Sequence, residues 1–375
     1  MYDVVIVGGG PAGSTCARTL VAGGARVAVI DRAEFPRVKL CAGWLSPGIW
    51  DVLGISPRTY PRGLWEWNTA HVHYRGADFA IPCHGYFIRR YELDDYLLRT
   101  SGAELHLGTQ AKAIERVDGK WRVGGEGGLA GTYLVGAGGT HCPVARMLAP
   151  ERPRRAVGVQ ELELQTDAAA VARARKGRDG EPELLLFDDV GGYGWNVPKS
   201  DWINVGCGTL DATEVREAWQ KTHEHLQHHA RTLPSEAEPE LAHMKGHSYF
   251  LFEPAHLGRA EHDGALLCGD ALGLAHPITA EGILPATLSG KLAAQAILDG
   301  APASYPARLR AHETIADYRR VHRLLQAAQA VKRRLPGGRG RSTGLGRRAV
   351  AHGFAWMFSG ARLPAPRLLD VVLGR

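Results

Sequence analysis

Cysteine is scarce in this chain. The six present (Cys16, Cys41, Cys83, Cys142, Cys207 and Cys268) are spread over 375 residues, with no Cys-x-x-Cys pair. A disulfide scaffold, a structural zinc or an iron–sulfur cluster needs denser or more regular spacing, so none is expected and the setting reads as reducing and cytoplasmic. His71 and His73 alternate along a strand-like stretch, but no third ligand stands at matching spacing, and no metal is expected. Nor is there an uncharged apolar run of about 18 residues, the minimum for a membrane-spanning helix. No basic leader precedes the strand-like Asp3–Val7, so a secretory signal is not expected. Ser14 and Ser46 lack the strand–Gly-x-Ser-x-Gly–helix setting of a hydrolytic nucleophile.

What the chain does have is length, apolar content and glycine. At roughly 150 residues per domain, 375 residues imply about two domains, and 45% hydrophobic residues are enough for a sizeable core. Forty-seven glycines, about one residue in eight, fall in short runs and not in a fibrous period. The net charge is +6, unevenly placed: residues 301–375 hold 15 Lys and Arg against 3 Asp and Glu. Such a segment suits anionic lipid, a phosphorylated substrate or nucleic acid, or it is a solvated face. Arg333, Arg334, Arg339, Arg341, Arg347 and Arg348 form its densest patch, but neither a zinc finger nor a recognition helix accompanies it, and nucleic-acid binding is not expected.

The strongest motif opens the chain. Val4–Val7 reads as a buried parallel strand, Gly8-Gly9-Gly10-Pro11-Ala12-Gly13 follows at once, Ser14–Val21 reads as a helix, and Arg26–Ile30 is a second strand ending in Asp31. A strand–GxGxxG–helix unit with an acidic residue about 20 positions on is the fingerprint of dinucleotide binding. Gly8 permits the turn, Gly10 lets backbone approach a pyrophosphate, and Gly13 lets helix and strand pack closely. The helix start at Pro11 and Ala12 offers amides and partial positive charge to phosphates, and Asp31, with Arg32 beside it, faces the ribose. This loop alone leaves NAD and FAD both open. Tyr133–Gly139 reads as a strand returning to the same sheet, with Gly138 at its end. Gly264–Cys268 reads as another, closed by Gly269-Asp270 and followed by Pro277 and Glu281-Gly282-Ile283, where a further helix begins. Asp270 at such a strand end is placed to accept from a ribityl hydroxyl or to cap a helix.

These segments together resemble the geranylgeranyl reductase family, flavoproteins with the fold of p-hydroxybenzoate hydroxylase. The resemblance rests on Gly8–Gly13 with Asp31, on Pro36-Arg37 with Lys39 and Cys41-Ala42-Gly43, and on Tyr193-Gly194-Trp195-Asn196-Val197-Pro198-Lys199 before Asn204-Val205-Gly206. Gly269-Asp270-Ala271, His276-Pro277-Ile278 and Glu281-Gly282-Ile283 complete it. It extends over roughly residues 1–300. It implies FAD as cofactor, Arg90 (with Arg89 as the competing assignment) near the FAD pyrophosphate, and Cys41 close to the flavin. The chain departs from the family pattern at Ala42, at Ala137-Gly138-Gly139 where many members carry Ala-Asp-Gly, and at Ala280 where a glycine is usual.

The implied architecture is α/β: a Rossmann-like FAD-binding domain from 1–60, 86–155 and 256–300, an inserted antiparallel-sheet substrate domain from 61–85 and 156–255, and a basic, mostly helical region from 301–375. In the larger insert Val157–Leu164, Glu183–Phe187, Gly194–Val197 and Trp202–Cys207 read as strands. Tyr193 and Trp195 share one side of theirs by period two, and are expected to wall an apolar slot, the alternative being ordinary core packing. Lys199 lies just beyond. Cys41, with Lys39 and Arg37 nearby, is expected to be a thiolate-forming catalytic residue, or else a small apolar plug. His276 is expected to face the flavin as a proton donor. Phe354, Trp356, Met357 and Phe358 form an apolar cluster that either meets a membrane surface through 331–363 or packs on the catalytic domain.

The reaction the resemblance implies is reduction of carbon–carbon double bonds in a prenyl or other apolar substrate by hydride from reduced flavin N5, with NAD(P)H or a small redox protein such as ferredoxin as electron donor. The rival keeps the fold and uses oxygen: a monooxygenase or halogenase acting on an aromatic or other apolar substrate.

Overall fold

The computed structural model describes residues 1–124, 128–148, 156–175, 180–228, 244–334 and 344–360. Two eight-stranded sheets organise them. The first runs in the order Glu261–His262, Ala265–Leu267, Leu129–Gly136, Tyr2–Val7, Val27–Ile30, Glu104–His106, and its central strands are parallel. Val4, Val5, Ile6, Leu134, Val135 and Leu266 are fully buried, the double-sided burial that continuous apolar strands require. Each such side chain contributes about 1.5–3 kcal/mol. Helices Pro11–Ala22 and Ile283–Leu298 pack against each other beside this sheet.

An antiparallel hairpin, Ile114–Val117 and Lys120–Val123, extends the sheet from Leu129–Gly136. Its turn is Asp118-Gly119, both at positive φ (51° and 75°), the two-residue geometry whose twist suits a hairpin.

The second sheet runs Lys245–Phe250, Ala156–Gln165, Trp202–Thr209, Gly192–Lys199, Glu183–Leu186, Trp65–Tyr74, Ala77–Phe87, Trp44–Leu45. It is antiparallel with one exception: Glu183–Leu186 lies parallel to Trp65–Tyr74, in register Glu183↔His71. That seam joins the two insertions, and no hairpin links them to impose the antiparallel direction expected throughout. Trp44–Leu45, from the segment assigned to the nucleotide domain, also pairs into this sheet.

One face of the second sheet is covered by helix Val215–His228: Leu162, Leu164, Ile203, Val205 and Leu226 form a small core there. Over the other, helix Gly344–Phe358 lays down Ala351, Phe354, Ala355 and Phe358, a 3.6-period stripe, against Trp44, Trp67, Phe87 and Trp195. Phe354 and Phe358 therefore pack inward and Trp356 is half exposed; Arg339, Arg341 and 361–363 lie outside the described residues. Among the described residues no helix is long and apolar enough to cross a membrane.

Candidate active site

A cavity of about 860 Å³ runs between the carboxyl ends of the parallel strands and the second sheet. Its nucleotide end is the glycine loop. Gly8 stands at φ 113°, and a Cβ there would sit 2.4 Å from the Ala137 carbonyl oxygen; a Cβ on Gly13 would sit 1.9 Å from that of Gly8. Both positions exclude side chains, so the turn stays tight against the start of helix Pro11–Ala22, while Gly10, Pro11 and Ala12 face the cavity. Asp31 ends its strand with both carboxylate oxygens engaged, accepting from the Gly9 amide at 2.7 Å and the Ala33 amide at 2.9 Å, and it too lines the cavity with Arg32.

Deeper in, Arg90 is buried, donates to both oxygens of Asp94 at 2.6 and 2.7 Å and lines the cavity. Arg89 turns the other way, stacked 3.3 Å over Trp202 and paired with Glu92 and Glu163. The structure thus separates the two arginines. Arg37 also pairs with Asp94, at 3.1 Å, and joins the lining. Gly138, Asp270, Pro277, Glu281, Gly282 and Ile283 close this half. Burial raises the Asp270 and Glu281 carboxyls, Glu281 to about 7; Lys39 and Arg90 oppose the shift at Asp270, and the Ser46 hydroxyl, donating to Glu281 at 3.0 Å, opposes it there. Gly13, Gly43, Gly269 and His276 support the site from behind its surface.

At the other end Tyr193 and Trp195 do share a wall, with ring centroids 5.8 Å apart, and both line the cavity with Trp44, Leu184, Phe354 and Phe358. Their polar atoms are committed elsewhere. The Tyr193 hydroxyl donates to the Thr279 carbonyl at 2.6 Å, and the Trp195 indole donates to Asn204, whose amide reaches the Cys41 carbonyl. Wall and Cys41 loop are thereby tied together.

Two expectations about individual side chains change. Cys41 lines the cavity beside Lys39 and Ala42, but burial pushes its thiol up, outweighing Arg90 and Lys39, so it is held as a neutral thiol and its sulfur accepts from the Gly43 amide at 3.3 Å. His276 does not face the cavity. Its Nδ1 accepts from the amides of Ile278 and Thr279 at 3.1 and 3.0 Å, its ring packs edge-on to Tyr318, and burial lowers its pKa to about 3. A neutral ring with that nitrogen already engaged holds the 276–281 turn and is no proton donor near pH 7. The turn carries Ala280 at φ 60°, which explains why glycine suits that place.

Lys199 is fully buried in an ion pair with Glu163. His71 and His73 are also buried, His71 bonding Glu181 at 2.6 Å, and among the described residues no group of three or more such side chains is arranged to hold a metal. Glu161, His247 and Trp44 are among the cavity residues that the sequence does not point to. Glu161 sits in Val157-Gly158-Val159-Gln160-Glu161-Leu162-Glu163, where alternation makes the acidic positions look like a solvent face. The clue was the opposite set, Leu162 and Leu164, apolar enough to need a cover of its own.

The sequence of this site matches known proteins. Residues 1–284 match the model of the FAD binding domain. The chain belongs to that family. It is 30% identical over 331 residues to digeranylgeranylglycerophospholipid reductase 2 of Methanosphaera stadtmanae, covering 80% of this chain and 79% of the relative. Among solved structures, the geranylgeranyl bacteriochlorophyll reductase-like protein of Thermoplasma acidophilum aligns with all of this chain and 90% of its own (TM-score 0.60, 19% identity). The flavin-dependent brominase Bmp2 aligns with all of this chain and 98% of its own (TM-score 0.65, 19% identity), a likeness of fold.

The residues present fit FAD. The glycine loop leaves an open cradle at a helix N-terminus, Asp31 meets it at the next strand end, and Arg37, Lys39 and Arg90 bring positive charge to the same cavity. The protein is a flavin-dependent enzyme related to the digeranylgeranylglycerophospholipid reductases.

Proposed function

We propose that this enzyme reduces carbon–carbon double bonds of a prenyl-type or similarly apolar substrate. The observation that carries the reading is the continuity of the cavity: the space that begins at the glycine loop runs without a break into a chamber walled by Trp44, Tyr193, Trp195, Phe354 and Phe358. FAD, when bound, supplies the electron pair as hydride. Gly8 to Ala12 and Asp31 would hold its adenosine and phosphate side, Arg37 and Arg90 would offset phosphate charge, and Asp270 with the 277–283 turn would meet its remainder.

An isolated double bond has no neighbouring group to stabilise developing charge, so the chain's work is to position it and keep water away. The aromatic wall serves both needs, because its polar tips are satisfied within the protein and present only ring surface to the slot. Cys41, a neutral thiol at the junction of the two halves, shapes the surface against which the double bond rests. The 30% identical relative bears a prenyl-lipid reductase name, which supports the same substrate class. NAD(P)H or a small redox protein would restore the reduced cofactor.

The test is anaerobic reoxidation of the chemically reduced holoenzyme. Prenylated lipids and quinones are expected to return the flavin absorbance without oxygen, and a saturated analogue is expected not to. Reoxidation by oxygen alone, with substrate hydroxylated or halogenated, would replace the reductase reading with the oxygen-using one.

A further inference from the structure

Reducing a double bond consumes a hydride and a proton, and the sequence-designated donor, His276, is turned away from the cavity. Glu161 is not. It is 1% exposed, it lines the cavity, and its Oε1 is buried with no hydrogen-bond partner. An unpaired buried carboxyl oxygen is costly, so a retained one signals a partner that arrives with the ligand.

Local structure explains how it is held there. Glu161 lies opposite Gly206 in register. A Cβ on Gly206 would fall 2.5 Å from the Trp195 ring and 2.7 Å from the Glu161 Cβ. The missing side chain lets the carboxyl stand beside the aromatic wall. Around it are Lys199 from the next strand but one, Lys39 and Cys41 from the loop, Arg90 from its helix and Glu163 two residues along. Tyr193 and Tyr249 couple to it weakly as neutral phenols. His247, in the adjacent strand, also faces the cavity, but burial lowers it to about 3, so it stays neutral across the working range.

We propose that Glu161 is the catalytic acid of the cavity, hydrogen-bonding at the reacting region of the substrate and delivering the proton that completes reduction of the double bond. This rests on the alkene-reductase reading. In the step, the π pair of the double bond forms a new C–H bond with the Glu161 proton. The other carbon receives the hydride, and with it both electrons, from the reduced flavin. The O–H bond of Glu161 breaks, its carboxylate remains between Lys39 and Lys199, and solvent returns a proton after product leaves. Burial holds the free carboxyl at about 7, above its ordinary value in spite of the two lysines, so the acid form is present below that pH. The reduction rate is therefore expected to be level in mild acid and to fall as pH rises through about 7.

The experiment compares wild type with Glu161→Gln and Glu161→Asp as FAD-loaded enzymes, in single turnovers with a prenylated lipid. Glu161→Gln should keep FAD content and substrate Kd within about twofold, lose about 100-fold or more in the reduction step, and lose the high-pH fall; Glu161→Asp should recover part of both. Independently of turnover, infrared titration of the holoenzyme should show a carboxylic-acid C=O band that disappears near neutral pH and is missing in Glu161→Gln. Wild-type rate with the fall retained would overturn the proposal and move the proton to Glu281. A weakened Kd at unchanged rate, or no such band, would overturn it equally. Failure of the parent reading is separate: wild type itself would yield no reduced lipid, whatever the infrared band showed.

Discussion

The two ends of the cavity are built in opposite ways. The glycine-loop part of the nucleotide end comes from one continuous stretch: strand, glycine loop, helix, strand and Asp31 occupy 30 consecutive residues, Tyr2 to Asp31, under local constraints such as the 1.9 Å approach at Gly13. The substrate end is assembled from pieces hundreds of residues apart. Trp44, Glu161, Tyr193, His247 and Phe358 meet only because eight strands from distant segments pair and a C-terminal helix lies across them. A site written contiguously tolerates few changes, whereas an assembled one can be altered piece by piece, which suits a fold whose solved neighbours include both a reductase-like protein and a brominase.

The sharpest way to separate the ends is Phe358→Ala. Removing a buried ring that touches Trp44 at 4.5 Å and Tyr193 at 5.7 Å should cost about 3–5 kcal/mol of helix docking, read as faster amide exchange across 344–358. FAD affinity should change by less than about twofold; a parallel loss of FAD would mean that the ends are not independent. Asp31→Ala is the converse. It removes a carboxylate accepting two amides as well as the proposed ribose contact, and is expected to weaken FAD binding by about 2–3 kcal/mol while leaving the second sheet's thermal transition in the FAD-free protein little moved. Unaltered FAD affinity would remove the ribose role.

Cys41→Ala probes the junction. Turnover should fall about tenfold, or about 1.4 kcal/mol, with FAD content unchanged. Because burial keeps the thiol neutral, wild-type Cys41 should also react slowly with maleimide at pH 7; full turnover in the variant would leave Cys41 a packing residue. The smallest effect belongs to Ala280→Gly. Relief of a left-handed alanine should raise stability by about 1 kcal/mol, measured as a higher unfolding midpoint.

The same contrast explains what was readable in the sequence. Tyr2–Val7, helix Pro11–Ala22 and the strands Ala156–Gln165, Gly192–Lys199 and Trp202–Thr209 follow from periodicity and glycine punctuation, within a few residues at each end. The hairpin Ile114–Val123 was equally legible, since Asp118-Gly119 between alternating residues is a strong local signal, yet it was passed over. Other features were not legible. Whether Glu161 faces water or a chamber depends on helix Val215–His228 covering the sheet's other side, and whether the nearby cations activate Cys41 depends on how deeply the loop is buried. His276 was misjudged for a related reason: its neighbours in sequence suggested the flavin, but its ring folds back onto its own turn.

The most direct test of the central claim is the mass of the product formed when reduced holoenzyme meets a prenylated lipid in the strict absence of oxygen. A gain of two hydrogens per double bond is the predicted result. An unchanged lipid without oxygen, and a gain of one oxygen or one halogen once air and halide are admitted, would contradict it.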